Sequence, residues 1–232
     1  NGGLLAGAFV DGQLAGFVWG FLGFDDRVSP PRLKHCSHQL GVHPAYRNRS
    51  IGFALKRFQW EYVRSQGIAL TTWTYDPLLA PNAHLNIARL GAVCNTYCCD
   101  LYGHLNDDLN AGLPTDRFQV DLWVNAPRVA AAMSGSPVAL LVGETWHWLN
   151  RPDGASLPLP RIETAPQGPV ALAIPLDFPA LKAADHALAA DWRAATRAAF
   201  ESLFAAGYRV THFVRQPSCG VYLLARDFDP PA

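Results

Sequence analysis

The chain has 232 residues, half of them apolar and 16% charged, with 19 basic against 19 acidic side chains. This composition excludes a disordered chain and supplies core enough for one large domain or two. A net charge of zero excludes a global field for nucleic acid or a membrane surface, so any anion binding must be local.

Residues 4–10 and 14–22 are rich in β-formers and flank Asp11-Gly12, which predicts a hairpin. Residues 23–32 are polar, carry Pro30-Pro31 and read as a loop. A third strand is expected over 33–42. Helical spacing then runs over 51–66, with Ile51, Leu55, Phe58 and Tyr62 on one stripe and Gly67 as the stop. Residues 68–75 read as a strand closed by Asp76-Pro77. A short helix over about 81–90 ends at Gly91, and 92–101 look extended. The Asn, Asp, Gly and Pro content of Tyr102–Asp116 predicts a loop, and 117–124 alternate as a strand. This β-β-β-loop-α-β-α-β-β order reads as a mixed sheet with helices packed on it. Pro127 opens a second section, with strands expected at Pro137–Val142 and Pro169–Ile174 around a Pro/Gly-rich segment. The longest helix is expected over 185–206, facing the core with Leu188, Trp192, Ala195, Ala199 and Leu203. Strands at Tyr208–Val214 and Val221–Leu224 close the chain. The boundaries drawn are 1–125 for the first domain and 126–232 for a smaller C-terminal α/β extension.

The five cysteines form no C-x-x-C and are odd in number, which reads as reduced thiols in a cytoplasmic protein. No apolar run is long enough to span a bilayer and no signal peptide is read. The chain begins at Asn1, already within a strand, so a preceding N-terminal segment is expected. His35, Cys36 and His38 with Cys94, Cys98 and Cys99 fit no usual zinc spacing, and no metal site is expected. The tryptophans at 19, 73, 123, 146, 148 and 192 read mostly as core, with an acceptor pocket as the alternative.

The stretch from Gly41 to Ala54 organises the rest. An apolar run ends in a basic, polar, glycine-containing turn, and a helix begins at once. Unpaired N–H groups and the helix dipole make such a point suit a phosphate, and Arg47 and Arg49 reinforce it. There is no Gly-Lys-Ser/Thr and no dinucleotide glycine pattern.

Arg47-Asn48-Arg49-Ser50-Ile51-Gly52, with the Gly-Val-His-Pro-Ala-Tyr lead-in and the element order of 4–124, resembles motif A of the GNAT superfamily of acyl-CoA-dependent N-acyltransferases. Within it the chain looks like predicted acetyltransferases with a C-terminal extension. The resemblance implies an α/β (α+β) fold with a mixed, mostly antiparallel sheet. It implies acetyl-CoA, or another acyl-CoA, as co-substrate. The backbone from Arg47 through Asn48, Arg49, Ser50 and Ile51 to Gly52 would then hold the pyrophosphate. Leu40, Gly41 and Val42 would expose backbone to the pantetheine arm, with Asn82 also within its reach. Ser50 stands where the family prefers glycine, which strains the backbone if that position needs φ > 0.

The family's carboxylate base corresponds to Cys36, and no Asp or Glu occurs between Asp26 and Glu61. His38 is therefore the first candidate for general base, against a reading as a hydrogen-bonded interior histidine. Ile87 occupies the place of the usual tyrosine acid, leaving Tyr97 and Tyr102 as substitutes that read equally as structural residues. The expected activity is direct acyl transfer to a small-molecule amine in a ternary complex. The alternative is a catalytically degenerate acyl-CoA-binding module. Neither nucleic acid nor membrane is an expected partner. The C-terminal unit is expected to cover the acceptor site or to mediate a homodimer.

Overall fold

Asp11 and Gly12 both take left-handed φ, 50° and 76°, as a two-residue hairpin turn requires. They join β1 (Leu4–Val10) to β2 (Gln13–Asp25). This computed structural model describes residues 2–103, 112–136, 145–154, 156–162, 164 and 166–226. The chain divides into two units. One holds the described residues of 1–73 and 121–138, the other those of 74–120 and 139–229. The chain passes between them within β4 (Leu70–Tyr75) and within β6 (Arg117–Trp123).

In the first unit β2 pairs antiparallel with β1 and with β3 (Arg32–Val42). β2 runs to Asp25, past the start of the expected loop, because Phe24 and Asp25 pair with Leu33 and Arg32. β3 then meets β4 in parallel at His35↔Thr71 and Cys36↔Thr72. The parallel step is made by α1 (Ile51–Ser65). One side of α1 packs Leu55, Ile51 and Tyr62 against Leu4, Val18 and Leu40. Its other buried positions are Lys56, Gln59 and Val63, so the expected stripe is corrected at Phe58, which is 52% exposed. Trp60 Nε1 donates to the Val124 carbonyl at 2.9 Å, and the Arg27 guanidinium forks between Asp25 and Asp121 at 2.7 and 3.0 Å. A further helix, α3 (Pro127–Met133), was not legible as one: seven residues are too few to show a period.

The second unit carries β5 (Val93–Cys98), β7 (His147–Trp148), β8 (Val170–Pro175), β9 (Arg209–Arg215) and β10 (Cys219–Ala225) in the order β5-β9-β10-β8-β7. β10 is antiparallel to both neighbours, and the short β7 is parallel to β8. The expected helix over 81–90 is replaced by one α-turn, α2 (Ala80–Ala83), and a π-helical segment from His84 to Arg89. α4 (Phe178–Ala184), seven residues long, is too short to show a helical period in the sequence. In its first turn Pro179 displaces no hydrogen bond, and Asp177 caps the helix by accepting from the Ala180 N–H at 3.0 Å. α5 (His186–Ala205) matches the long helix expected, with Trp192, Ala199 and Leu203 buried on it, but the expected core face is corrected at Leu188, which is 38% exposed, and at Ala195, which is half-buried, while Phe200 joins the buried side. Phe118, Phe200 and Tyr222 form an aromatic cluster with ring centroids 4.7 to 5.6 Å apart. Helices flanking mixed, mostly antiparallel strands bear out the α/β class expected. The strand expected at Pro137–Val142 and the middle of the 102–116 loop, residues 104–111, lie outside the described residues.

Candidate functional site

The turn after β3 brings two non-glycine residues into the left-handed region: Asn48 at φ 62° and Ser50 at φ 58°. Ser50 stands immediately before α1, and no side chain caps the helix. The first-turn N–H groups of a 15-residue helix, beyond the reach of any intrahelical carbonyl, thus meet the positive end of its dipole. Arg47, Asn48, Arg49 and Ser50 are all exposed. Among the described residues neither guanidinium has a carboxylate partner, and Arg49 lies 5.6 Å from the Tyr46 ring centroid. The Arg47 N–H is spent on the Pro44 carbonyl at 3.2 Å, so the backbone available to an anion begins after it. Gly41 and Gly16 let β2 and β3 close up beside the loop: a Cβ on Gly16 would lie 2.7 Å from the Gly41 carbonyl, and one on Gly41 2.8 Å from the Phe17 ring.

Leu40, Gly41 and Val42 pair with Val18, Phe17 and Gly16 on one edge. On the other edge β3 meets β4 only at His35 and Cys36, so from Ser37 to Val42 that edge has no strand partner among the described residues. An open edge of this kind accepts an extended ligand as an added strand. His38 is the extra residue of a bulge: Trp19 pairs with Gln39 and Gly20 with Ser37. Its exposed ring lies 4.7 Å from Trp19, edge-on, and 5.6 Å from Phe21, the cross-strand partner of Cys36. It is therefore no interior histidine, and it shares the face of Cys36, as strand alternation suggests.

Behind β3 lies a layer that sequence reasoning missed. Lys56 Nζ donates to Ser37 Oγ at 2.6 Å and to Gln59 Oε1 at 3.1 Å, and stands 3.7 Å from the Trp73 ring centroid. Because Gln59 accepts with its oxygen, its amide nitrogen donates to His35 Nε2 at 3.1 Å, leaving the imidazole proton on Nδ1. No carboxylate is among these partners. Burial pulls Lys56 down to about 7. Burial, and then the Lys56 charge, bring His35 down to about 4. Gly20 is required here, since a Cβ would collide with His35 Nε2. The only sequence signal was a lysine one position from the apolar stripe of α1.

Tyr97, Tyr102 and Asn82 belong to the second unit. Tyr97 is committed to its core: its hydroxyl donates to Asp116 at 2.8 Å, and burial together with the Asp116 charge raises it far above a usual phenol. Tyr102 keeps a half-exposed ring, its hydroxyl 2.8 Å from Thr74 Oγ1. Asn82 lines a cavity with Leu176, Asp177 and Arg215. Trp192 is buried, and Trp146 and Trp148 pack on the Ala171–Leu223 core, whereas Trp19 is 39% exposed. All five cysteines are free, and among the described residues no group of three His, Cys, Asp or Glu side chains could hold a metal. No helix among the described residues is long and apolar enough to cross a membrane.

No curated protein matches the sequence. Among solved structures, the NatC complex bound to Gag peptide and CoA aligns at 16% identity and TM-score 0.40, over 47% of this chain and 61% of that one. Chaetomium thermophilum Naa20 with a bisubstrate analogue aligns at 16% and 0.43, over 51% and 65%. The ribosomal-protein-S18-alanine N-acetyltransferase of Escherichia coli aligns at 17% and 0.43, over 53% and 70%. The chain thus spans less than two thirds of the length of the first two. The sequence model of the acetyltransferase (GNAT) family matches residues 1–85, which contain β1 to β4, the basic loop and α1. Over those residues the resemblance to the GNAT superfamily is borne out.

Proposed function

We propose that the chain is an acyl-CoA-dependent N-acyltransferase that moves an acetyl or other acyl group to a small-molecule amine. One observation carries this reading: an edge of β3 with no strand partner from Ser37 to Val42 among the described residues runs directly into an exposed loop whose two arginines have no carboxylate partner among those residues, at the start of α1. The pyrophosphate sits on the backbone of Asn48 to Gly52, assisted by Arg47 and Arg49, and the pantetheine arm lies along Leu40 to Val42. His38, exposed between Trp19 and Phe21, takes the proton of the amine, directly or through water. The amine lone pair forms the C–N bond at the thioester carbonyl, the C–S bond breaks, and the departing thiolate takes up a proton. Five free thiols fit the cytoplasmic location proposed for it.

The test is titration calorimetry with CoA, followed by release of free thiol from acetyl-CoA over a panel of small amines and a peptide amine. Saturable CoA binding with amine-dependent thiol release is expected. Absence of CoA binding overturns the reading. A second reading, a binding module without turnover, is favoured by the lack of any carboxylate between Asp26 and Glu61. His38→Ala separates the two: a loss of turnover of roughly 10² or more with CoA affinity intact supports catalysis. Tight CoA binding without turnover in either protein supports the module.

A further inference from the structure

The second unit contains a cavity of about 400 Å³, within the range of small-molecule sites. Its walls are leucine, alanine and proline, and three polar side chains reach it: Asn82, Asp177 and Arg215. They come from three different elements. Asn82 is on α2, Asp177 precedes α4, and Arg215 ends β9. One oxygen of Asp177 is taken by the Ala180 N–H. Among the described residues nothing else pairs with the side chains of Asp177, Asn82 or Arg215. A carboxylate and a guanidinium that face one cavity without forming an ion pair leave a slot bounded by opposite charges. A second cavity of about 420 Å³ shares Leu176 and Asp177 as walls and is otherwise lined mainly by apolar groups, among them Leu181, Leu188 and Trp192.

From this juxtaposition we infer that the second unit binds a zwitterionic small molecule, an α-amino acid with an apolar side chain. The ammonium sits on the free oxygen of Asp177. The carboxylate sits on Arg215, with Asn82 orienting it and the apolar side chain lying against the leucine and proline walls. A lone anion would meet the repulsion of Asp177 and a lone amine that of Arg215. Only a ligand carrying both charges satisfies both groups. The inference does not need the basic loop at Arg47–Gly52 to bind an acyl-CoA, because that loop contributes no residue to the cavity.

Titration calorimetry on the full chain with L-phenylalanine, 3-phenylpropanoate and phenethylamine tests it. L-Phenylalanine is expected to bind tighter than about 1 mM, with each half-analogue at least about tenfold weaker. Arg215→Met, at an exposed position, is expected to abolish the preference for L-phenylalanine over phenethylamine. Asp177→Asn keeps a capping oxygen for α4 and is expected to abolish the preference over 3-phenylpropanoate. Absence of saturable L-phenylalanine binding overturns the inference. So does binding of 3-phenylpropanoate as tight as L-phenylalanine, which would mark a simple anion site. Displacement of L-phenylalanine by CoA would also overturn it, because the cavity would then hold part of that larger ligand.

Discussion

Arg47 and Arg49 of the first unit stand on an exposed loop with no carboxylate partner among the described residues. Arg193 and Arg197 of the second unit are each bidentate to an aspartate. Arg193 meets Asp76 with both sides buried, at 2.8 and 2.5 Å. Arg197 meets a fully buried Asp116 at 2.8 and 2.6 Å. Burial by itself would raise Asp116. Hydrogen bonds from Arg197, the Asp100 N–H and Tyr97 together hold it below the ordinary carboxylate value. The same side chain thus serves two ends. Where its charge is cancelled inside the fold it positions elements, and where it is left in water at a helix start it is available to an anion.

That contrast breaks most visibly at Arg193. Arg193→Leu leaves the buried Asp76 with only the more distant Arg117 guanidinium, at 3.9 Å, and is expected to lower stability by about 3 kcal/mol, read from urea melts. The double change Arg193→Leu with Asp76→Asn removes the poorly compensated charge and is expected to recover part of the loss. If the single change shifts the midpoint by less than about 1 kcal/mol, the pair is no structural anchor.

Lys56 sharpens the contrast, because it is buried like Arg193 yet, like Arg47, has no carboxylate partner among the described residues. Its folded value of about 7 lies below its ordinary 10.5. Between these values the unfolded chain holds the proton and the folded chain does not, so stability rises with pH across that window and is flat below it. The gain from pH 7 to 9 is expected to be roughly 2 kcal/mol relative to Lys56→Met, measured by thermal melts at matched ionic strength. Parallel curves for the two proteins would mean that Lys56 stays charged in the fold.

Arg47→Ala and Arg49→Ala probe the other extreme. Each is expected to weaken CoA binding by about tenfold and to leave stability within about 0.5 kcal/mol. The difference from the unaltered chain should shrink as salt rises. Unchanged affinity in both would remove the loop from the CoA site.

Much of the frame was legible because it rests on local chemistry. Asp11-Gly12 set a hairpin, Gly67 closed α1, and the Gly41–Ala54 pattern placed the basic loop. The parts that escaped depend on partners distant in sequence. Nothing local marks His38 as the bulged residue, since the bulge is a mismatch of register with Trp19 and Gly20. Nothing local marks Lys56 as buried, because its partner Ser37 lies on β3. The π-helical segment after Ala83 follows an i to i+5 spacing that a 3.6-residue period cannot show. Tyr97 was readable as a candidate acid only while Asp116 and Phe200 were not known to enclose it.

Ser50 is where loop and fold meet, and it gives the smallest effect. At φ 58° and ψ 14° an L-residue is disfavoured by about 1 kcal/mol, but glycine gives up a similar amount through the freedom of its unfolded chain. Ser50→Gly should therefore hardly move the melting temperature. Its effect should appear in binding, because the substitution clears a side chain from the mouth of the first turn. A gain in CoA affinity of about threefold is expected from calorimetry. Ser50→Ala keeps the strained backbone, and should lose up to about 1 kcal/mol of stability without that gain. Were both variants to bind CoA more weakly, the Ser50 hydroxyl would be a phosphate donor, and the serine a working member of the cradle.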